Sequence, residues 1–183
     1  MERSVTEGIR IRPYEPDDSA SLYAAARESV ADVFPWLPWC HARYSMAEAE
    51  EWARSRPQLF KEGAEYNFAI VASSGRFLGG CGLNRINRDH RFANLGYWVR
   101  SADAGRGVAS TAVRHMAEFA FSRSDILRLE IVCAVGNIRS QRAADKSGAM
   151  REGVLHDRLF LHGRAHDAVM YSIVRSKWKS GAA

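Results

Sequence analysis

The sequence predicts an α+β fold, a mixed α/β sandwich in which helices cover a largely antiparallel sheet. The predicted elements follow the order strand, two helices, three strands, helix, strand, helix and a final pair of strands. Most strands are neighbours in the chain, which favours antiparallel hairpins, and one strand–helix–strand unit adds a parallel connection. A chain of 183 residues suits one domain, residues 1–183, whose core is expected at about residues 8–178.

Seven short apolar segments are predicted to be strands. The first alternates apolar and basic side chains and stops at Pro13. Small turn residues at 73–75 join the second and third, and His162–Gly163 joins the last two. In chain order the predicted strands are residues 9–12, 67–72, 77–86, 92–100, 127–135, 154–161 and 168–174.

Start signals and a 3.6-residue period predict four helices. Asp17–Asp18 can cap the first helix, and Ser45 with Glu48 three residues later forms a capping box for the second. Pro57 is expected to stop or kink the second helix. The third and fourth helices are expected at about residues 107–122 and 137–147, the fourth closed by Gly148.

Composition excludes several classes of protein. The longest apolar runs are too short to span a bilayer and the N-terminus has no apolar signal core, so we expect a cytoplasmic protein without a membrane partner. Cys40, Cys81 and Cys133 lack metal-ligand spacing and are expected to be free buried thiols, with no metal bound. The net charge of +5 suits an anionic ligand, but no basic stripe indicates nucleic acid.

The most informative segment is GRGVAS, residues 105–110, between a predicted strand and the third helix. It has no Gly-Lys-Ser/Thr triplet, which excludes a nucleoside-triphosphate loop. It nearly meets the dinucleotide fingerprint G-x-G-x-x-G, but Ser110 replaces the third glycine. The loop alone leaves two interpretations open: an ordinary strand-to-helix turn, or a cradle whose backbone N–H groups bind a pyrophosphate.

The segments around this loop resemble one enzyme family. NLGYWVRSADAGRGVASTAVRHMAEFAF, RLEIVCAVGNIRSQRAADKSGAMREGVLHD and HGRAHDAVMYSIV are similar to the GCN5-related N-acetyltransferases, and within them to the RimJ/RimL-like ribosomal-protein N-terminal acetyltransferases. The resemblance covers about residues 8–178, and residues 94–174 carry most of its specificity. It implies that acetyl-CoA is the cosubstrate, that a primary amine attacks the thioester directly, and that the sheet splays between its two central strands.

The resemblance also implies roles for three groups of residues. The end of the fourth strand pairs with the pantetheine arm, and a backbone N–H near Val99 stabilises the negative charge that develops on the thioester oxygen. The glycine loop binds the pyrophosphate, and Ser140, with Asn137, reaches the pantetheine and the sulfur. The implied cofactor-binding residues are Trp98, Val99, Arg100, Gly105, Arg106, Gly107, Val108, Ala109, Ser110, Asn137 and Ser140.

Three positions depart from the family pattern. Ala104 stands where many members begin the loop with arginine or glutamine, and Ala144 stands where many carry a tyrosine that protonates the departing thiolate. Ser140 is the nearby hydroxyl that can hydrogen-bond the sulfur instead. The need for a proton donor is moderate, because a thiol of pKa about 8.5 is a tolerable leaving group even as a thiolate. Leu159 occupies a position where some relatives carry a base. The remaining candidates for a base are His156, Asp157 and Glu130.

The lack of an evident base bears on the acceptor. At pH 7 about one-tenth of an α-amine of pKa about 7.8 is neutral, against under ~0.1% of a lysine. We therefore expect a protein N-terminus as acceptor, with free amino acids, polyamines and amine antibiotics as alternatives. Two other classes of function stay open, a non-catalytic coenzyme-A-binding module and a dinucleotide-dependent oxidoreductase. The oligomeric state, monomer or homodimer, is also open.

The segment FPWLPWC, residues 34–40, is the second notable motif. Two prolines and two tryptophans between helices indicate a rigid aromatic corner. It is either a buried corner that closes the first helix or, as the resemblance implies, one wall of the acceptor groove. The candidate substrate-binding residues are Phe34, Trp36, Leu37 and Trp39.

Overall fold

A computed structural model describes residues 8–179 of the chain and contains one seven-stranded sheet. The strands lie in the order β1-β2-β3-β4-β5-β7-β6, and every neighbouring pair is antiparallel except β4 with β5. Their bounds are β1 Arg10–Pro13, β2 Tyr66–Val71, β3 Phe77–Asn87, β4 Phe92–Val99, β5 Arg128–Ala134, β6 Met150–Leu161 and β7 Arg164–Val174. The predicted fold class is confirmed, and β6 begins four residues earlier than the sequence suggests.

Four α-helices cover the sheet, α1 Ser19–Val33, α2 Met46–Glu62, α3 Val108–Arg123 and α4 Ile138–Lys146. The predicted capping box of α2 is confirmed, because the Ser45 hydroxyl accepts the Glu48 N–H and the Glu48 carboxylate accepts the Ser45 N–H. Of the two predictions for Pro57, a stop or a kink, the stop is wrong, since α2 continues through it. A proline removes one ladder hydrogen bond. Buried Ala49 and Ala53 hold the helix before Pro57, and Phe60, which packs on the larger apolar cluster, and the cap at Gly63 hold it afterwards.

The helices form two layers, one on each face of the sheet. Helices α1 and α2 pack on one face around Leu22, Ala26 and Phe77. Helices α3 and α4 pack on the other face, where Met116 and Leu129 belong to the larger apolar cluster. No helix within residues 8–179 is long and apolar enough to cross a membrane.

The sheet opens in its middle, as the resemblance implies. Strands β4 and β5 pair at only three positions, Phe92 with Arg128, Ala93 with Leu129 and Asn94 with Glu130. Beyond Asn94, β4 continues to Val99 beside β3, while β5 continues to Ala134 beside β7. The two strands therefore diverge, and beyond these pairs neither inner edge pairs with a facing strand. We call this gap the β4–β5 opening.

Candidate active site

The inner edge of β4 presents backbone groups to the β4–β5 opening. The Arg100 N–H donates to the Leu78 carbonyl of β3 over 2.8 Å. Since successive N–H groups along a strand alternate between its two edges, the N–H groups of Val99 and Tyr97 are directed away from β3 and into the opening. An extended ligand with amide groups can hydrogen-bond to this edge as another strand would.

The N-terminus of α3 follows the end of β4 after a short 3-10 turn, Ser101–Asp103, and the glycine loop. Gly107 is the N-cap residue, with φ of 80°, and no side chain caps the helix. The first helical bond runs from the Thr111 N–H to the Gly107 carbonyl over 3.0 Å. The N–H groups of residues 108–110 precede it and have no carbonyl to bond within the helix, so they are available to an anion.

Side chains of the glycine loop divide into exposed and buried ones. The Arg106 side chain is exposed, whereas those of Val108 and Ser110 are buried. The Ser110 hydroxyl donates to the Gly107 carbonyl over 3.0 Å. Val108 and Ser110 therefore offer their backbone N–H groups to a ligand, Ala109 adds a third, and Arg106 can add a positive charge.

An ion pair that the sequence does not reveal fixes the chain segment that leads from β4 into the glycine loop. Asp103 is only 1% exposed, and both of its carboxylate oxygens accept hydrogen bonds from the Arg76 guanidinium, one of them over 2.9 Å. Arg76 lies in the β2–β3 connection, 27 residues earlier in the chain. The pair ties the segment between β4 and α3 to the neighbouring hairpin.

Ser140 lies in the first turn of α4, facing the opening. Asn137 caps this helix, because its Oδ1 accepts the Ser140 N–H over 3.1 Å. The Ser140 hydroxyl lies 3.0 Å from the Tyr97 phenol oxygen and 3.1 Å from the Cys133 sulfur. Tyr97 belongs to β4 and Cys133 to β5, so the serine joins the two strands where they diverge. Ala144, four residues further along α4, is fully buried in the core.

Trp98 and Arg100 contact the α1–α2 side of the molecule. The Trp98 ring packs at 5.3 Å from Trp39 and 6.0 Å from Phe77, in the apolar cluster of that layer. The Arg100 side chain donates to Glu28 of α1 over 2.6 Å. These side chains are engaged in internal contacts, which leaves the alternate residue Val99 at the opening.

The aromatic segment 34–40 connects three parts of the molecule. The Phe34 ring lies 4.4 Å from the ring of His162 at the β6–β7 turn. The Trp36 ring covers Gly136, where a Cβ would lie 3.2 Å from it, and Leu37 and Trp39 are partly buried. Both sequence interpretations thus have support in the contacts, since the segment is packed and also stands beside the loop that leads into α4.

The sheet surface next to this segment is open at one position of β4. A Cβ on Gly96 would meet no atom within 4 Å, and Gly96 lies on the same face of β4 as Trp98 by strand alternation. Free space therefore lies over the α1–α2 face of β4, beside the opening.

The three candidate bases are engaged in contacts within the chain, and Glu130 lies at the last paired position before the β4–β5 opening. His156 contacts Asp167 over 3.0 Å, and Asp167 also accepts the Asp157 N–H, so this aspartate braces the irregular middle of β6. Glu130 pairs with Arg128, which also binds Glu152. Hydrogen bonds from that guanidinium and from a serine hydroxyl lower the pKa of Glu152 to about 2.

The three cysteines are free and buried, as predicted. Burial raises the pKa of Cys40 to about 11 and raises that of Cys133 as well. Among residues 8–179 no group of three or more histidine, cysteine, aspartate or glutamate side chains is arranged to hold a metal ion.

An uncapped helix N-terminus, a free strand edge and a serine hydroxyl converge on one opening in the sheet. This geometry suits an enzyme that holds an extended anionic ligand along a free strand edge. Residues 9–150 match the model of the acetyltransferase (GNAT) domain family, and the chain belongs to that family. The predicted N-acetyltransferase activity and RimJ/RimL-like branch are confirmed by this match and by the relatives that follow.

Three relatives illustrate the similarity. YdaF of Bacillus subtilis (strain 168), classed with the ribosomal N-acetyltransferases, is 29% identical over 96% of each chain. The ribosomal-protein-serine acetyltransferase of Escherichia coli (strain K12) is 24% identical over 92% of this chain and 97% of its own. A solved structure of RimL, a ribosomal L7/L12 alpha-N-protein acetyltransferase in complex with coenzyme A, superposes with a TM-score of 0.84. It is 23% identical and covers 93% of this chain and 96% of that one.

Proposed function

We propose that the protein transfers the acetyl group of acetyl-CoA to the N-terminal α-amine of a protein or peptide by direct attack on the thioester. The observation that carries the proposal is the β4–β5 opening, with the free N–H groups of β4 on one side and the Ser140 hydroxyl inside it. The RimL structure, which holds coenzyme A and is named for α-N-acetylation, supports both the cosubstrate and the acceptor.

The residues beside the opening suit the chemistry of coenzyme A. The three unpaired N–H groups of Val108, Ala109 and Ser110, at the positive end of the α3 dipole, suit a pyrophosphate, and the positive φ of Gly105 and Gly107 turns the backbone around it. The exposed Arg106 adds a charge. The amide groups of a pantetheine arm can pair with the free edge of β4.

Two groups of this chain act on the reacting thioester in our proposal. The Val99 N–H donates to the carbonyl oxygen as negative charge develops there, and a donor of this kind lowers the barrier by about 2.7–4 kcal/mol. The Ser140 hydroxyl donates to the sulfur as the carbon–sulfur bond breaks. Asn137 orients Ser140 by capping the helix that carries it.

The acceptor reaches the thioester from the α1–α2 side, over Gly96. There the segment with Phe34, Trp36, Leu37 and Trp39 forms one wall. An α-amine suits this site because a useful fraction of it is neutral at pH 7 without help from a base. Its nitrogen forms the new bond to the acetyl carbon, the electron pair of the broken bond goes to sulfur, and water takes the ammonium proton.

The test is a thiol-release assay with acetyl-CoA at pH 7. One peptide has a free N-terminal serine and no lysine, and its matched control has a blocked N-terminus and one internal lysine. Peptides that begin with alanine or threonine, and spermidine, complete the panel. We expect faster release with the free N-termini. Faster acetylation of lysine or spermidine would overturn the α-amine assignment, and binding of acetyl-CoA without release for any amine would indicate a non-catalytic module.

A further inference from the structure

We propose that Asp32 is a positioning residue that fixes the width of the β4–β5 opening and thereby holds the Val99 N–H and the Ser140 hydroxyl at the separation that the thioester requires. This inference rests on the proposed function, in which those two groups act on the oxygen and the sulfur of the thioester. Asp32 is the last residue but one of α1, and it acts through Ser101 and Arg139.

The Asp32 carboxylate binds one group from each side of the opening. Its Oδ2 accepts a hydrogen bond from the Ser101 hydroxyl over 2.5 Å, and its Oδ1 accepts one from the Arg139 guanidinium over 2.7 Å. Ser101 begins the 3-10 turn that follows β4, and Arg139 lies in the first turn of α4, which follows β5. One carboxylate therefore joins the two chain segments that flank the wide end of the opening.

Both contacts lie close in the chain to a group that acts on the thioester. Val99 precedes Ser101 by two residues, and Ser140 directly follows Arg139. A shift of either contact therefore changes the distance between the Val99 N–H and the Ser140 hydroxyl. Reaction rates are sensitive to such shifts, because a displacement of about 1 Å can cost a large factor in rate.

On the β4 side, α1 holds the chain by further hydrogen bonds that do not need Asp32. The N–H groups of residues 101–102 donate to the Ser29 hydroxyl over 3.0 Å and to the Glu28 carboxylate over 3.2 Å, in that order. On the other side, the contact of Arg139 with Asp32 is the one hydrogen bond or ion pair between α1 and α4 within residues 8–179. Loss of the arginine therefore frees α4 from α1 and leaves the end of β4 in place.

A second link holds α4 from the opposite face of the sheet. The Tyr97 phenol donates to the Ser140 carbonyl over 2.9 Å, and the Tyr97 ring packs on the apolar cluster of the α3–α4 face. Asp32 belongs to α1, which covers the other face. Held from one face only, the first turn of α4 can tilt about the Tyr97 contact, and the ion pair with Asp32 prevents that tilt.

Kinetics in the thiol-release assay test the proposal. Arg139→Ala should lower kcat about two- to fivefold, the range that an exposed ion pair accounts for, since 74% of the Arg139 and 43% of the Asp32 side chain are accessible. The KM for acetyl-CoA should change little, because a different ion pair holds the glycine loop. Arg139→Lys, which keeps a cation, should recover most of the loss. Added to Asp32→Ala, Arg139→Ala should lower kcat no further, because both substitutions break the same link.

Arg54→Ala is the matched control, since Arg54 forms a similarly exposed ion pair with Glu51 on α2. It should leave kcat near that of the wild type. If Arg139→Ala leaves kcat unchanged, or raises the KM for acetyl-CoA at constant kcat, the proposal is wrong. If the losses caused by Arg139→Ala and Asp32→Ala multiply in the double variant, the two residues act independently, which overturns it equally.

A distance measurement in the ligand-free protein needs no turnover. Spin labels attached through Ala104→Cys and Arg142→Cys lie at exposed positions on the β4 side and the α4 side of the opening, and the native cysteines are buried. Arg139→Ala should broaden the distribution of label distances measured by double electron–electron resonance, whereas Arg54→Ala should not. An unchanged distribution in Arg139→Ala would overturn the proposal. This result stands whether or not the wild type acetylates any amine, so it separates the present inference from the proposed function.

Discussion

The ion pair between Arg76 and Asp103 allows a quantitative test of how the pyrophosphate loop is held. Asp103 is 1% exposed, whereas 45% of the Arg76 side chain is accessible to solvent. Arg76→Met leaves a buried carboxylate without its partner. Breaking a buried pair in this way costs 3–5 kcal/mol, and because the arginine is half-exposed we expect about 2–3 kcal/mol here. Asp103→Asn leaves a guanidinium that can turn to water, so we expect only about 1 kcal/mol.

Urea unfolding of the wild type, the two single variants and the double variant measures these free energies. The double variant should be more stable than Arg76→Met alone, because the buried charge has been removed. Arg76→Met should also raise the KM for acetyl-CoA several-fold, since Asp103 directly precedes the loop. If Asp103→Asn costs as much as Arg76→Met, or if the double variant loses the sum of both, the argument from the buried charge is refuted.

Three further predictions concern separate parts of the molecule. Gly105→Ala and Gly148→Ala both place a Cβ at positive φ in open space and should each cost about 1–2 kcal/mol of stability, but only Gly105→Ala should raise the KM for acetyl-CoA. Trp36→Ala should raise the KM for the acceptor peptide at least fivefold and leave that for acetyl-CoA unchanged, whereas Trp52→Ala on exposed α2 should change neither; equal effects would contradict the placement of the acceptor wall. The pKa of Glu152 is lowered from about 4.5 to about 2, so its ion pair stabilises the fold above pH 4.5 and this stability is lost as the pH falls toward 2. The free energy of unfolding of Glu152→Gln should fall less steeply with pH over that interval than that of the wild type. Equal slopes for the two proteins would contradict the assignment.

Local signals in the sequence predict most of the fold. The capping box at Ser45 and the uniformly apolar or alternating strands depend on residues close together in the chain. They appear in the structure where expected, except that β6 and β7 each begin four residues earlier. The error at Pro57 has the opposite origin. A proline lowers local helix propensity, but packing of the α2 face against its neighbours is a tertiary effect that the local pattern does not contain.

The candidate site is predictable in part for the same reason. The glycine loop and Asn137 occur within short motifs, so the sequence can point to them. Tyr97 and Trp98 are adjacent, and alternation predicts that they face opposite layers. It does not predict that Tyr97 meets a serine 43 residues later, because that contact depends on the angle at which β4 and β5 diverge.

The side chains on the two sides of the opening differ in what they can do for the reaction, and this difference predicts a pH dependence. On the sulfur side, Ser140 has two partners that hold its hydroxyl. Among the described candidates for a base, His156 pairs with Asp167 and Glu130 with a guanidinium. In our proposal the acceptor therefore loses its proton to water before it attacks. For a peptide α-amine, kcat/KM should rise with pH and level off above about 7.8, whereas for a lysine peptide it should continue to rise toward about 10.4. A plateau for the α-amine peptide that begins well below its own pKa would show that the enzyme supplies a base after all.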